Sequence, residues 1–208
     1  MNHQDTENKI LGNLLRCPLE SKSLNQLSIE TGLSYVTVHK LIPLLLRRGL
    51  VRLEKKGRAH LISIDFELAD LEKISSAMLY EKNSFLKKHA QLLLVVKDLE
   101  EVLAGKFYIL LLFGSYAKDK IKKDSDIDLF FIVPSREEVE NYKEKIISAL
   151  KLHSKIRKDF KVVSTKDFME MLDQKYTVGR EVFKSNLVLF GTEHYYSLVK
   201  EYVRTKGY

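Results

Sequence analysis

Residues Phe107 to Val133 read FYILLLFGSYAKDKIKKDSDIDLFFIV. An apolar run of strand length ends at Gly114-Ser115, ten residues intervene, and Asp126-Ile127-Asp128 opens a second apolar run. With a side-chain period of two, Asp126 and Asp128 share one face of that second strand, and Ile127, Leu129, Phe131 and Val133 take the other. Two carboxylates held side by side repel unless a cation neutralises them. Hard divalent cations such as Mg²⁺ favour carboxylate oxygens together with phosphate oxygens. A Gly-Ser turn between a strand and a helix adds close backbone approach, free N–H donors and a hydroxyl, which suit a phosphate chain. A lone Gly-Ser or a lone Asp-x-Asp would be a turn or a capped strand. Both at this spacing, bracketed by two strand-like runs, form one constellation.

Downstream, the pattern predicts a helix over Arg136–Leu152 and a strand over Ile156–Ser164. Alternation in that strand sets Asp159, Lys161 and Val163 on one face and Phe160 and Val162 on the other. Ser164-Thr165-Lys166-Asp167 reads as a helix-start capping box. The tail from Val178, VGREVFKSNLVLFGTEHYYSLVKEYV, reads as a helix, a short strand around Leu187–Phe190, Gly191 and a closing helix. Arg180 is expected on a helix surface, and Tyr195-Tyr196 in the packing of the last helix.

The G-S-x(10)-D-x-D arrangement resembles the DNA polymerase β-like nucleotidyltransferase superfamily, most closely its minimal members, over residues 105–190. The resemblance implies a mixed sheet flanked by helices, an NTP with Mg²⁺ as cofactor, and transfer of a nucleoside monophosphate with release of pyrophosphate. It puts Gly114 and Ser115 on the β and γ phosphates and Asp126 and Asp128 on the metal, with two metals clamping the attacking and leaving oxygens. Lys118 stands where relatives carry a basic residue, and so becomes a phosphate or pyrophosphate contact. Lys120, Lys122 and Lys123 crowd the same loop, as steering charges or as a solvated surface. Relatives that transfer nucleotides usually have a third carboxylate on a later strand. If Phe160 and Val162 face helices, Asp159 faces the aspartate pair and is that candidate; Asp167 is the rival, though it reads better as part of the helix-start capping box. Many relatives lack the third acid, and Lys161 beside Asp159 leaves open a plain surface ion pair. The same motif is shared by antitoxins that adenylylate a cognate toxin, which implies ATP and a protein acceptor or toxin among the partners.

Upstream, Ile10, Leu11, Leu14 and Leu15 fall at helical spacing over Asn8–Leu15. Ser23 fits the N-cap of a short helix closed by Thr31-Gly32, and Ser34 that of a third, Tyr35–Arg48, stopped by Gly49. Strands Leu50–Lys55 and Ala59–Asp65 follow, joined through Lys56-Gly57. The segment SLNQLSIETGLSYVTVHKLIPLLLRRGLV, from Ser23 to Val51, resembles the winged helix-turn-helix family. The resemblance implies double-stranded DNA or a protein as partner. A recognition helix reads bases with its exposed N-terminal residues, here Tyr35, Thr37, His39 and Lys40. Lys55, Lys56 and Arg58 on the wing would meet phosphates. Pro43 removes one N–H inside this helix and predicts a bend beyond the reading residues.

Between these parts, Glu67 to Leu103 contains neither Pro nor Gly, and its apolar positions repeat at three and four. One long helix, or two with a break near Asn83, is expected. Its apolar face is to be buried on the C-terminal module or against a second copy in a homodimer. The expected class is α+β: a winged helix-turn-helix over 1–66, a helical connector over 67–104, and a polymerase β-like nucleotidyltransferase domain over 105–208. These elements allow two functions. One is a Mg-dependent nucleotidyltransferase coupled to DNA binding; the other is a DNA-binding transcriptional regulator whose nucleotidyltransferase domain is catalytically degenerate.

Charge and composition agree with anionic partners. Across 208 residues, 35 Lys and Arg against 28 Asp and Glu leave a formal +7. Ser34 to Arg58 holds seven basic residues and one acid, Glu54. The single cysteine, Cys17, excludes a disulfide framework within the chain and a cysteine-rich zinc site. The six histidines show no metal-ligand spacing. No apolar run approaches the ~18 residues of a membrane helix, and MNHQDTENKI has no signal-peptide character. A cytoplasmic protein without a membrane partner is expected.

Overall fold

The computed structural model describes residues 2–57, 59–122, 125–154 and 156–206. Its contacts divide the chain into two units, Met1–Glu81 with Glu193–Tyr208, and Lys82–Thr192.

Local capping signals shape the start of the first unit. Helix α1 (His3–Leu15) begins earlier than apolar spacing alone predicts, because the Asn2 side chain accepts the Asp5 N–H at 2.7 Å. A two-residue strand, β1 (Lys22–Ser23), leads into α2 (Leu24–Thr31). Here the expected N-cap is part of a full capping box: Ser23 Oγ accepts the Gln26 N–H at 3.2 Å, and Gln26 Oε1 accepts the Ser23 N–H at 2.8 Å. Gly32, at φ +63°, ends this helix in the left-handed conformation. Ser34 then caps α3 (Tyr35–Arg47), which continues through Pro43 because Val38, Leu41, Ile42 and Leu45 anchor it in the core on both sides of the proline. Strands β2 (Val51–Lys56) and β3 (Ala59–Ile64) pair antiparallel from Val51↔Ile64 to Lys56↔Ala59. β1 joins the other edge of β3, giving the order β1-β3-β2.

The connector departs from expectation in one respect. Two helices form, α4 (Leu71–Lys88) and α5 (Ala90–Val102), but they break at His89 and not near Asn83. Asn83 sits exposed within α4, where its modest propensity deficit is too small to end a helix. His89 leaves helical geometry (φ −127°, ψ 70°) with its ring 4.3 Å from that of Phe85.

The second unit is organised around a four-stranded sheet. In chain order its elements are β4 (Ile109–Phe113), α6 (Gly114–Ala117), β5 (Ile127–Val133), α7 (Val139–Lys151), β6 (Lys158–Ser164), α8 (Thr165–Asp173), α9 (Val178–Lys184) and β7 (Leu187–Phe190). The sheet order is β6-β5-β4-β7, with β4 antiparallel to β5 and β7, and β5 parallel to β6 through the α7 crossover. Leu129 to Val133 are buried without alternation, as expected of a strand covered on both faces. Phe130 meets Phe168 of α8 on one face (5.9 Å), while Phe131 meets Phe160 on the other (6.4 Å).

Helix α10 (Thr192–Lys206) follows β7 in sequence, yet its contacts belong to the first unit. The Tyr196 hydroxyl donates to the Leu15 carbonyl at 3.1 Å, and Lys200 Nζ donates to the Ala69 carbonyl at 2.8 Å. Tyr195 and Tyr196 are fully buried, in the packing role expected of them. Among the described residues, no helix is long and apolar enough to cross a membrane.

Candidate active site

Three strand ends meet in the second unit. Phe113, the last residue of β4, is paired with Asp128 near the start of β5, and Asp128 is paired with Asp159 near the start of β6. Gly114 follows Phe113 directly at φ +69° and turns the chain into α6. The Asp128 carboxyl fills the space beside it. A Cβ on Gly114 would run into Asp128 Oδ2 and lie 2.9 Å from its Cγ. Glycine is therefore required twice, for its backbone conformation and for this approach. Ser115 is half-buried, and its hydroxyl has no hydrogen-bond partner among the described residues.

Electrostatics single out Asp128. Burial, then the neighbouring charges of Asp126 and Asp159, push its carboxyl above the usual carboxylate range. All three aspartates therefore act within one field. Asp126 is exposed immediately before β5, and Asp159 is exposed with its carboxylate accepting the N–H of Phe160 at 2.9 Å. Among the described residues, no group of three or more His, Cys, Asp or Glu converges tightly enough to hold a metal ion by itself. Asp167 is committed elsewhere. Its N–H donates to Oγ of Ser164, the N-cap of α8, at 3.1 Å, and its carboxylate accepts from Arg136 Nε and from Ser164 Oγ, both at 2.7 Å, which holds it below the usual range.

The surrounding cations are less tightly built in. Lys118 ends α6, exposed, and its charge helps lower the Glu181 carboxyl of α9, which Lys184 lowers more strongly. Lys120 and Lys122 are exposed; Lys123 lies outside the described residues. Arg180 is bound to the Leu172 carbonyl at 2.7 Å, which ties α9 to the end of α8.

In the first unit, Tyr35, His39 and Lys40 are exposed at the start of α3, with the Tyr35 and His39 rings stacked at 6.1 Å. Thr37 differs, because its hydroxyl bonds to Ser34 Oγ at 2.7 Å and is drawn into the cap. Lys55 and Lys56 are exposed along β2, whereas Arg58 lies outside the described residues. Two other cations of this stretch are structural. Arg48 pairs with the buried Glu7 at 2.6 Å, and Arg52 Nε donates to Ser63 Oγ at 3.1 Å. Val36, beside Tyr35, is 59% exposed.

A family model described as "Nucleotidyltransferase domain" matches residues 80–188. One solved structure, titled "Crystal structure of the toxin-antitoxin with AMP-PNP", aligns at 17% identity and a TM-score of 0.33, covering 54% of this chain and 88% of that one. No curated protein matches the chain.

Proposed function

Because the chain belongs to the nucleotidyltransferase domain family, we propose that its second unit binds an NTP with Mg²⁺ and transfers the nucleoside monophosphate to an acceptor hydroxyl. The first unit, on this reading, is a winged helix that holds duplex DNA. The observation that carries the enzymatic reading is the seat of the Asp128 carboxyl against Gly114, which brings the Gly-Ser turn and an acidic side chain together.

Gly114 and Ser115 offer their backbone and hydroxyl to the β and γ phosphates. Asp126 and Asp128 are the groups that would hold the divalent ion. Their fit rests on chemistry visible in the site: an all-oxygen donor set, with burial and then neighbouring like charges raising the proton affinity of Asp128. Mg²⁺ is commonly held by only one or two carboxylates beside substrate phosphates and water, so a tight cage of three acids is not required. When bound, such an ion withdraws charge from the phosphate oxygens. The acceptor oxygen forms a bond to the α phosphorus as the bridging bond to the β phosphate breaks, and pyrophosphate leaves with the bonding pair. Asp159, facing the same side as Asp128, takes the hydroxyl proton.

The full chain incubated with Mg²⁺ and an NTP labelled at its α phosphate is expected to transfer label, and the Asp126→Asn/Asp128→Asn double variant to transfer none. Label transfer that survives both substitutions would remove these residues from the reaction. Transfer that survives Asp159→Asn assigns the proton elsewhere.

A second reading draws on the bond from Phe160 N–H to Asp159. That bond engages the third carboxylate with its own strand, as befits a DNA-binding regulator whose site binds nucleotide without transfer. Nucleotide binding by the wild type with no label transfer to any acceptor favours it. Support for the winged helix comes from the element order and from the β1-β3-β2 sheet, which sets a hairpin after a capped third helix. Absence of duplex binding at low salt would leave this unit a protein-contact module.

A further inference from the structure

The break between α4 and α5 occurs where no Gly or Pro asks for it, and what it achieves is an aromatic contact. His89 stands at the break, its ring 4.3 Å from the buried Phe85 and 5.8 Å from Tyr116, edge-on at 66°. Tyr116 immediately follows Ser115. Helix α6 has only four residues, too few to hold its own orientation by internal hydrogen bonds. Its placement depends on side chains: Gly114 against Asp128, Ala117 in the core, and Tyr116 against His89. The first two anchors hold the ends of the turn, and the His89 contact steadies its middle. A helix interrupted against its own propensity is a local conflict that tertiary contacts must compensate.

We propose that His89 is a positioning residue for the nucleotide: through the Phe85–His89–Tyr116 ring contacts it sets the orientation of Ser115 toward the phosphates. The inference rests on the nucleotidyltransferase reading. Its contribution is that of a ring, not of a titrating group, so an aromatic replacement serves.

The test is binding of fluorescently labelled NTPs, each of the four in turn, to the full chain in Mg²⁺, with thermal melting followed in parallel. His89→Leu, which keeps apolar volume but no ring, is expected to weaken the best-bound nucleotide about fivefold or more, the order of a typical coupling energy between packed groups. His89→Phe is expected to bind within about twofold of wild type at pH 5.5 and pH 8 alike, on the same scale. Tyr116→Leu is expected to match His89→Leu, and the double variant to be no worse than either single one, because both break the same ring pair. Wild-type affinity in folded His89→Leu would overturn the proposal, as would His89→Phe binding as weakly as His89→Leu. Should His89→Leu fail to fold, Tyr116→Leu alone decides, and unchanged affinity there refutes it. A wild type that binds none of the four removes the nucleotide reading first and this inference with it.

Discussion

On the proposed reading, the two units would approach phosphate by opposite means. On α3 and β2 of the first unit, exposed cations stand on long flexible stems, and Lys40, Lys55 and Lys56 pack against little. At the Gly114 turn of the second unit, a glycine and a partly buried carboxyl are fitted together with no room for a methyl group. The first arrangement costs the fold almost nothing and would work by summed charge, so it should degrade gradually. The second places like charges side by side and should fail at the loss of one group.

Gly114→Ala is the sharpest way to break that contrast. The new Cβ meets the Asp128 carboxyl, and the left-handed conformation costs ~1–2 kcal/mol for any residue but glycine. Transfer of label is expected to fall on the order of 10²–10³-fold, the scale for removing one positioned group from an electrostatic site. A normal rate would show that the close fit is incidental.

Asp128→Asn separates function from stability. Its transfer is expected to fall on a similar scale, but the variant without nucleotide should melt higher than wild type. The sign follows from the raised carboxyl. The folded state holds this proton more tightly than the unfolded state, whose value is about 3.9. Ionisation therefore costs stability progressively as pH rises through that value, and the cost is complete above the folded one. The advantage of Asp128→Asn in a melting experiment should be about 2 °C or more at pH 8 and vanish at pH 3. A variant less stable than wild type at pH 8 would mean that the carboxylate is well solvated or already paired.

Removing Lys55, Lys56 and Arg58 together should produce a smaller, graded change. Duplex affinity is expected to fall, and its logarithmic salt slope to flatten by about 0.9 for each phosphate that is no longer neutralised. Titrations at several salt concentrations measure both. A loss of all binding at every salt would make the wing a precise site and erase the contrast.

Arg136→Ala tests a charge that belongs to neither site, with the smallest expected effect. Arg136 follows the far end of β5 and holds Asp167 below the usual carboxylate range. A depressed carboxyl contributes stability above its unfolded value of about 3.9, which is lost as pH falls through the folded one. The variant should be slightly less stable at pH 7, nearly equal to wild type at pH 2, and unchanged in label transfer. Thermal melts at both pH values check it.

What was legible in the sequence divides along physical lines. The caps at Ser23, Ser34 and Ser164 were readable because a side chain and the backbone it satisfies lie three residues apart. The face of Asp159 was readable because alternation fixes faces within a strand, and Asp159 does share the face of Asp128, but the pairing of their two strands was not. Strand β1 was not, since two residues carry no period. The break at His89 was not legible, since no Gly or Pro marks it and the Tyr116 ring it meets is distant in sequence. The grouping of α10 with the first unit depends on Tyr196 and Lys200 reaching partners more than a hundred residues away. The bond between the Thr37 hydroxyl and Ser34 Oγ was not legible either, since each residue alone fits a different role.

The central claim is that Gly114, Ser115, Asp126 and Asp128 form one site for an NTP and a divalent cation. Its most direct test is equilibrium binding of labelled NTP to the full chain while Mg²⁺ is titrated. Binding is expected to be saturable, to rise with Mg²⁺ in the wild type and to be lost in Asp126→Asn/Asp128→Asn. Binding that ignores Mg²⁺, or that persists undiminished in the double variant, would contradict it.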